Sequence, residues 1–442
     1  MIFSGTVGEH IVVFTGPSID SFKLNLDSKA SLVGSDALAF ADSYLSKDLA
    51  ALVYGEKKSM DTLISASGGG LGDIVNGLRD GISMSDGLGD TRDLESLFQI
   101  VAEREAALRK FAGNESSGIV AFLEEGLKIE SHGGYDSGML DWKAPNKLAH
   151  LGKSEDVAMF ANFNADAAFD KSARAYMESL FETAYAITVK VTESPIQSEE
   201  FDQFKEGFKL FDSKFRPEAA ALWDALGNDF SGSLGGEKAW VMDFKGAAPA
   251  VPGVPQKVVD QAKIPRISMI SPVADRAKLA GSWEKMNTAL TSVLGKFGEI
   301  SGNQIPMQKP MSSEKNGNAT WFFPMPLFND DFLPSVTVGD KWFVASTSKN
   351  QSLDLIDQAS KAGDAGSGLT IFVDFKTIEK YSKEIYKIVD ENAEEINGAP
   401  LSDSDKKDID QVLSVMSNFD KLSIHSRREN SELRTSVHFK IR

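Results

Sequence analysis

The chain closes on a strict two-residue alternation. Leu433, Thr435, Val437, Phe439 and Ile441 interleave with Arg434, Ser436, His438 and Lys440. Successive side chains of a strand point to opposite faces, so this segment belongs to a sheet with one side on a core and the other in water. Antiparallel sheets tolerate one wet face, whereas the strands of parallel sheets read as continuous apolar runs. Elsewhere the chain must supply neighbouring strands and something apolar to cover the dry face.

Four segments carry the spacing of covering helices. Leu94, Leu97, Phe98, Val101 and Leu108 line one stripe, with Asp90 or Thr91 as its cap. Met286, Leu290, Val293, Leu294 and Phe297 make a second, and Ile378, Tyr381, Ile385, Ile388 and Val389 a third. Ile409, Val412, Leu413 and Met416 make a fourth, opened by Asp403 and Asp405, which suit the positive end of a helix dipole. All four read as core-facing stripes. Strands and helices alternate irregularly, with hairpins, which predicts an α+β fold with antiparallel sheets rather than a doubly wound parallel one.

Parts of the chain echo one another. Thr6-Val7-Gly8-Glu9-His10-Ile11-Val12-Val13-Phe14-Thr15 parallels Thr337-Val338-Gly339-Asp340-Lys341-Trp342-Phe343-Val344-Ala345-Ser346. A short helical stretch follows each, Ile19 to Leu26 and Ser352 to Ala359. Then come paired β-runs, Ala37 to Asp42 against Leu369 to Asp374, matching Phe40 to Phe372 and Asp42 to Asp374. Leu127 to His132 parallels Leu422 to Arg427, with returning strands expected over Leu140 to Lys143 and Leu433 to Ile441. Val157 to Asn162, followed by a helical stretch from Asp166 to Leu180, repeats the strand-then-helix shape. The expectation is two related units, each a mainly antiparallel curved sheet packed with helices. Pro249-Ala250-Val251-Pro252-Gly253-Val254-Pro255 is the best linker, since proline fixes φ and removes donors. The boundaries are then 1–255, a first unit with a long helical insertion, and 256–442, a second unit. The run Ser67 to Asp73, with glycines at 68, 69, 70 and 72, reads as a loop over the first sheet.

Composition narrows function mainly by exclusion. The 442 residues carry 47 Lys plus Arg against 64 Asp plus Glu, a formal charge of −17. An acidic chain lacks the cations that displace nucleic-acid counterions, so nucleic acid is not an expected partner. No apolar run reaches the roughly 18 residues of a spanning helix. Cysteine is absent, which excludes disulfides, thiolate metal sites and cysteine nucleophiles; it suits an oxidising compartment, and equally a cytosolic protein that lacks thiols. Met1 to Thr6 is not a signal peptide. The aromatic segment before Thr337 has no counterpart before Thr6, so Met1 is expected not to be the natural start. The upstream gene sequence checks this.

Searches for chemistry find fragments. Gly68, Gly70 and Gly72 invite a dinucleotide loop, but Asp73 stands where the third glycine belongs. Gly152-Lys153-Ser154 ends like a phosphate loop, yet Lys147 replaces its upstream glycine. Asn162, Asn164, Asp166 and Asp170 have the opening spacing of a calcium loop, but Ala167 and Ala173 occupy its turn and bidentate positions. They read as a strand end and a helix cap. The five histidines, His10, His132, His150, His425 and His438, make no metal motif, although His425 and His438 are placed to meet across the last hairpin. Catalytic, cofactor and metal residues are therefore assigned to none. The aromatic patch from Trp321 to Phe328 has two readings, a core strand with edge prolines or an exposed apolar lip. Trp321, Phe322 and Phe323 are the expected ligand or partner contacts in the second.

The segments TVGDKWFVASTSKNQSLDLI, LTIFVDF and the closing FDKLSIHSRRENSELRTSVHFKI give residues 320–442 a recurring order of strand, helix, strand, long helix and hairpin. In this the chain resembles a lipoprotein-like family of bacterial envelope proteins of unknown function with duplicated α+β domains. Residues 1–145 resemble it more weakly. The resemblance implies a periplasmic or cell-envelope location and no catalytic residues. The first expectation is a non-enzymatic, envelope-associated or secreted binding or scaffold protein, with an unknown protein or apolar ligand as partner. The alternatives are a carrier that shelters an apolar ligand between sheet and helix, and a carboxylate-dependent hydrolase.

Overall fold

The computed structural model describes residues 2–7, 10–15, 36–58, 77, 79–80, 91–302, 309–361, 363 and 365–442. The strands in chain order are β1 (Ile2–Val7), β2 (His10–Thr15), β3 (Asp48–Gly55), β4 (Gly113–Leu123), β5 (Gly126–Asp136), β6 (Pro145–Asn146), β7 (Val157–Asn164), β8 (Glu237–Ala247) and β9 (Lys263–Pro272). They continue as β10 (Met311–Lys315), β11 (Asn318–Phe322), β12 (Ser335–Val338), β13 (Trp342–Ser346), β14 (Gly366–Ser367), β15 (Leu369–Asp374), β16 (Phe419–Glu429) and β17 (Glu432–Ile441). The helices used below are α1 (Arg92–Arg109), α2 (Ala167–Glu193), α3 (Glu199–Leu210), α4 (Arg216–Asp224), α5 (Gln256–Gln261), α6 (Arg276–Ser301), α7 (Lys349–Ala359), α8 (Phe375–Glu391), α9 (Ala393–Asn397) and α10 (Asp403–Met416).

The fold is α+β. A 13-stranded sheet runs β10-β11-β12-β13-β9-β8-β7-β15-β16-β17-β5-β4-β3, each pair antiparallel. β7 and β15 stand side by side at its middle, with Phe160 directly opposite Phe372. Their ring centroids lie 5.6 Å apart. Outward on one side come the hairpin β8-β9 and then β13; on the other, the hairpin β16-β17 and then β5. Each flank thus borrows strands from the distant part of the chain. The proline-rich run at 249–255 joins β8 to β9, which are hydrogen-bonded neighbours, so one sheet crosses the 255/256 division.

Helices start where strands leave the sheet, and the caps explain why. Asp166 and Asp275 follow β7 and β9 and Asp374 ends β15, and each carboxylate accepts the backbone N–H three residues on, at 2.8, 2.9 and 2.9 Å. Such caps stabilise a helix by about 1 kcal/mol each. One sheet face is covered by Leu148 and Leu151 and by Leu355, Ile356 and Ala359 of α7, which pack on Phe160, Val241, Ile270, Val344 and Phe372. On the opposite face α8 brings Phe375 onto Phe419 and Phe439. A second cluster joins α1 to α2 through Leu94, Phe98, Val101 and Tyr176.

The covering segments are also pinned by buried polar bonds. Glu237 accepts the N–H of Leu148 at 2.7 Å and the amide of Asn162 at 3.2 Å. Arg266 donates to both carboxylate oxygens of Asp243 at 2.9 Å, and Gln351 of α7 donates to the same carboxylate at 3.1 Å.

The stripe on α1 packs as expected, with Thr91 at the cap position but making no side-chain cap bond. On α6 the buried line is Leu279, Ser282, Met286 and Ala289, while Leu290 and Phe297 are exposed. The α8 stripe is half-buried. On α10 Leu413 is buried and Val412 exposed, and the cap is Ser402, which accepts from the Asp405 N–H at 3.2 Å.

The correspondences between distant segments do not hold residue by residue. β1-β2 is a separate two-stranded hairpin in which Val7 faces His10, whereas in β12-β13 Val338 faces Phe343, a longer loop and a different register. Residues 37–42 are not a strand but part of a 3-10 helix, Asp36–Tyr44. Phe40 and Tyr44 both lie against the cluster of Val120 and Phe122, so tertiary packing there outweighs the β-rich look. β5 is the second strand of its hairpin and β16 the first of its own. Residues 140–143 contribute a single bridge, Leu140 to Ala165. The stretches 19–26 and 67–73 lie outside the described residues.

The central pair sets two expected outcomes. Phe160→Ala and Phe372→Ala each remove a buried ring and lower stability by about 3–5 kcal/mol in urea unfolding. The double variant loses less than the sum by about 0.5–1.5 kcal/mol, because the rings touch.

Candidate functional site

The register places Trp321, Val336, Ala345, Met269 and Trp240 in one row across β11, β12, β13, β9 and β8, all on one face of the sheet. Small side chains, Val336 and Ala345, form the floor between two indoles. Ile267 and Phe323 extend the same face by two residues on β9 and beyond β11. α6 covers part of this face: its Leu279 packs with Phe343, Val338, Met269 and Trp321. One turn later Trp283 is 38 % exposed, although Ser282 beside it is buried. Beside it lies a groove of about 450 Å³ lined by three indoles, Trp240, Trp283 and Trp321, with no ionisable side chain among the described residues of its wall.

The predicted aromatic contacts divide by strand alternation. Trp321 and Phe323 belong to the groove face. Phe322 borders the groove, but it pairs with Ser335 and its ring lies under the Lys349 ammonium at 4.7 Å, on the side covered by α7. Beyond β11 the exposed lip does exist: Met325, Leu327 and Phe328 are solvent-accessible, and Leu327 adopts a left-handed φ of 71°. Sequence reasoning missed Trp240, Ile267, Met269 and Trp283. The signal was present in Ala239-Trp240-Val241-Met242, which is apolar on both faces although only one is needed for the core.

The other candidates resolve into structural roles. Asn164 donates to Asn146 at 2.6 Å, Asn162 to Glu237, and Asp166 caps α2. Gly152 lies in the 3-10 turn Ala149–Lys153, where a Cβ would stand 2.6 Å from the Phe160 ring; this glycine serves packing. His425 faces Ser436 and His438 faces Ser423, so the two histidines are staggered rather than opposed. Among the described residues no group of three His, Cys, Asp or Glu is arranged to hold a metal ion.

Among the described residues two carboxyls have raised proton affinity through burial, Asp170 on α2 and Asp354 on α7. Asp354 lies 4.0 Å from Arg266, beside a space of about 60 Å³, too small for a substrate. Lys238 is pushed down to about 8 by burial, while its ammonium donates to Gly235 O and to Ser271 Oγ at 2.5 and 2.8 Å.

Comparison of the chain with protein-family models, with curated proteins and with solved structures finds no match. No helix among the described residues is long and apolar enough to cross a membrane.

Two measurements check this description. Trp240→Ala changes stability by less than about 1 kcal/mol, because the ring is half in water, while Phe343→Ala costs about 3–5 kcal/mol. Lys238 binds fewer protons folded than unfolded between about 8 and 10.5. Stability of the native chain relative to Lys238→Met therefore rises with pH through that window and is flat below it.

Proposed function

We propose that the chain is a non-enzymatic binding protein of the bacterial envelope, periplasmic or secreted, whose groove shelters a small apolar ligand of the acyl-chain class. The observation that carries the reading is the trio of indoles around a concavity whose described wall has no ionisable side chain. A soluble surface that keeps Trp240, Ile267, Trp283 and Phe323 accessible at one place loses favourable burial unless something covers them. About 450 Å³ lies within the range of small-molecule sites, whereas a stable protein partner buries about 800 Å² on each side. Absent cysteine and the resemblance noted above support the envelope location. A carboxylate hydrolase needs two acidic groups facing one cleft, and the described wall of the groove carries none.

Native mass spectrometry and titration with a fluorescent long-chain fatty acid test the reading. The expected outcome is one probe bound per chain with quenching of tryptophan emission. Trp240→Ser combined with Trp283→Ser weakens binding at least tenfold at unchanged urea midpoint. A probe that binds the double variant equally well, or not at all to the native chain, overturns the proposal. Loss of stability without loss of binding in Trp321→Ser would return that residue to a purely packing role.

A further inference from the structure

The face that carries the groove stays apolar far beyond it. From Trp240 of β8 the register continues through Ala161, Ile371, Ile424, Val437 and Ile129 to Ala121 of β4. The adjacent row, two residues along each strand, runs from Met242 through Met159, Val373, Leu422, Phe439 and Leu127 to Leu123. Both rows cross from β8 to β4 on apolar residues alone. None of these residues is buried, and Trp240, Met159 and Leu123 are exposed. Their neighbours on the other face, Val241, Phe160, Phe372 and Phe122, are buried. The same strands therefore carry a filled core on one side and an open apolar floor on the other.

Helix α8 lies over this face without sealing it. Its Phe375 packs on Phe439 of β17, and its Tyr381 ring stacks at 3.9 Å on Phe244 of β8, two residues past Met242. The rest of its apolar stripe, Ile378, Ile385 and Ile388, is half-buried, and the buried side chain of the helix is Glu379. Apolar side chains of sheet and helix alike thus keep water contact that a ligand would remove.

Size and charge select the occupant. Strands lie about 4.8 Å apart and alternate residues about 6.7 Å, so the two rows make a floor of about 29 by 13 Å, roughly 400 Å². That is half of the roughly 800 Å² a stable protein partner buries on each side. One lipid chain spans half of a hydrocarbon core about 30 Å thick, so either row is long enough for a chain. The rows carry no charge and the whole chain stands at −17, which disfavours an anionic head group. We infer that floor and groove together hold one lipid with two acyl chains and a head group of no net charge, its chains lying along the two rows and entering the groove at Trp240. The inference rests on the acyl-chain reading of the groove and extends it from a small ligand to a two-chain lipid.

The test incubates the full chain with dioleoylphosphatidylcholine vesicles, removes the vesicles and counts bound lipid by native mass spectrometry, with the fluorescent fatty acid as a probe of the groove alone. The expected result is one lipid per chain, which displaces the fatty acid. Ile129→Gln combined with Val437→Gln, four strands and more from Trp240, lowers lipid uptake at least tenfold and leaves fatty-acid affinity unchanged. Leu123→Gln, at a position 56 % exposed where folding is not at stake, lowers uptake at least threefold. Fatty-acid binding without lipid uptake, or uptake untouched by these substitutions, overturns the inference and leaves the groove reading standing. Failure of both probes on the native chain removes both. Dimerisation of the native chain that Leu123→Gln abolishes would make the floor a protein interface and overturn the inference.

Discussion

The antiparallel ladder between β7 and β15 is the contact on which the rest of the molecule depends. It joins strands about 210 residues apart, with Phe160 against Phe372 where the two flanks meet. Each strand feeds a capped helix on one end and faces a hairpin on its outer edge. Between the bulges side chains alternate with period two, so the register carries Phe160 and Phe372 to one face and Trp240, Met269, Ala345, Val336 and Trp321 to the other. The apolar groove therefore lies on the face opposite the Phe160–Phe372 core.

The covering layers are held differently on the two faces. α7 sits over a core that is apolar at Leu355 and Ile356 but polar at Gln351, which reaches the Asp243–Arg266 pair. A buried ion pair gains little net stability over apolar packing, yet losing one partner leaves an uncompensated charge. That pair fixes α7 in one position more than it strengthens it. α6 is anchored instead to neighbouring helical segments: Ser292 donates to Glu218 at 2.9 Å, Lys296 pairs with the same carboxylate, and the Phe297 ring lies 4.7 Å from Phe215. Its Leu279 end packs on the sheet, and Trp283 borders the groove.

Much of the fold was legible in the chain. Residues 433–441 alternate and form β17, and the α1 stripe buries the residues its spacing singled out. The α+β class and antiparallel pairing follow from those patterns. The strand order was not legible, since no local pattern says that β17 chooses β5 rather than a nearer strand. Resemblance between short segments misled for a physical reason: residues 37–42 look β-rich, and the packing of Phe40 and Tyr44 against Val120 and Phe122 outweighs that look. The site was half legible. Trp321 and Phe323 were visible as an aromatic run, while Trp240 and Trp283 join them only through register and helix placement.

The interleaved strand order has a consequence for synthesis. β17 is the partner of β5, made about 300 residues earlier, and at roughly 5–20 residues per second that interval lasts roughly 15–60 s. A β3-β4-β5 ribbon that forms before β17 reaches it has the β5 edge unpaired, with open amides and carbonyls available to any passing strand.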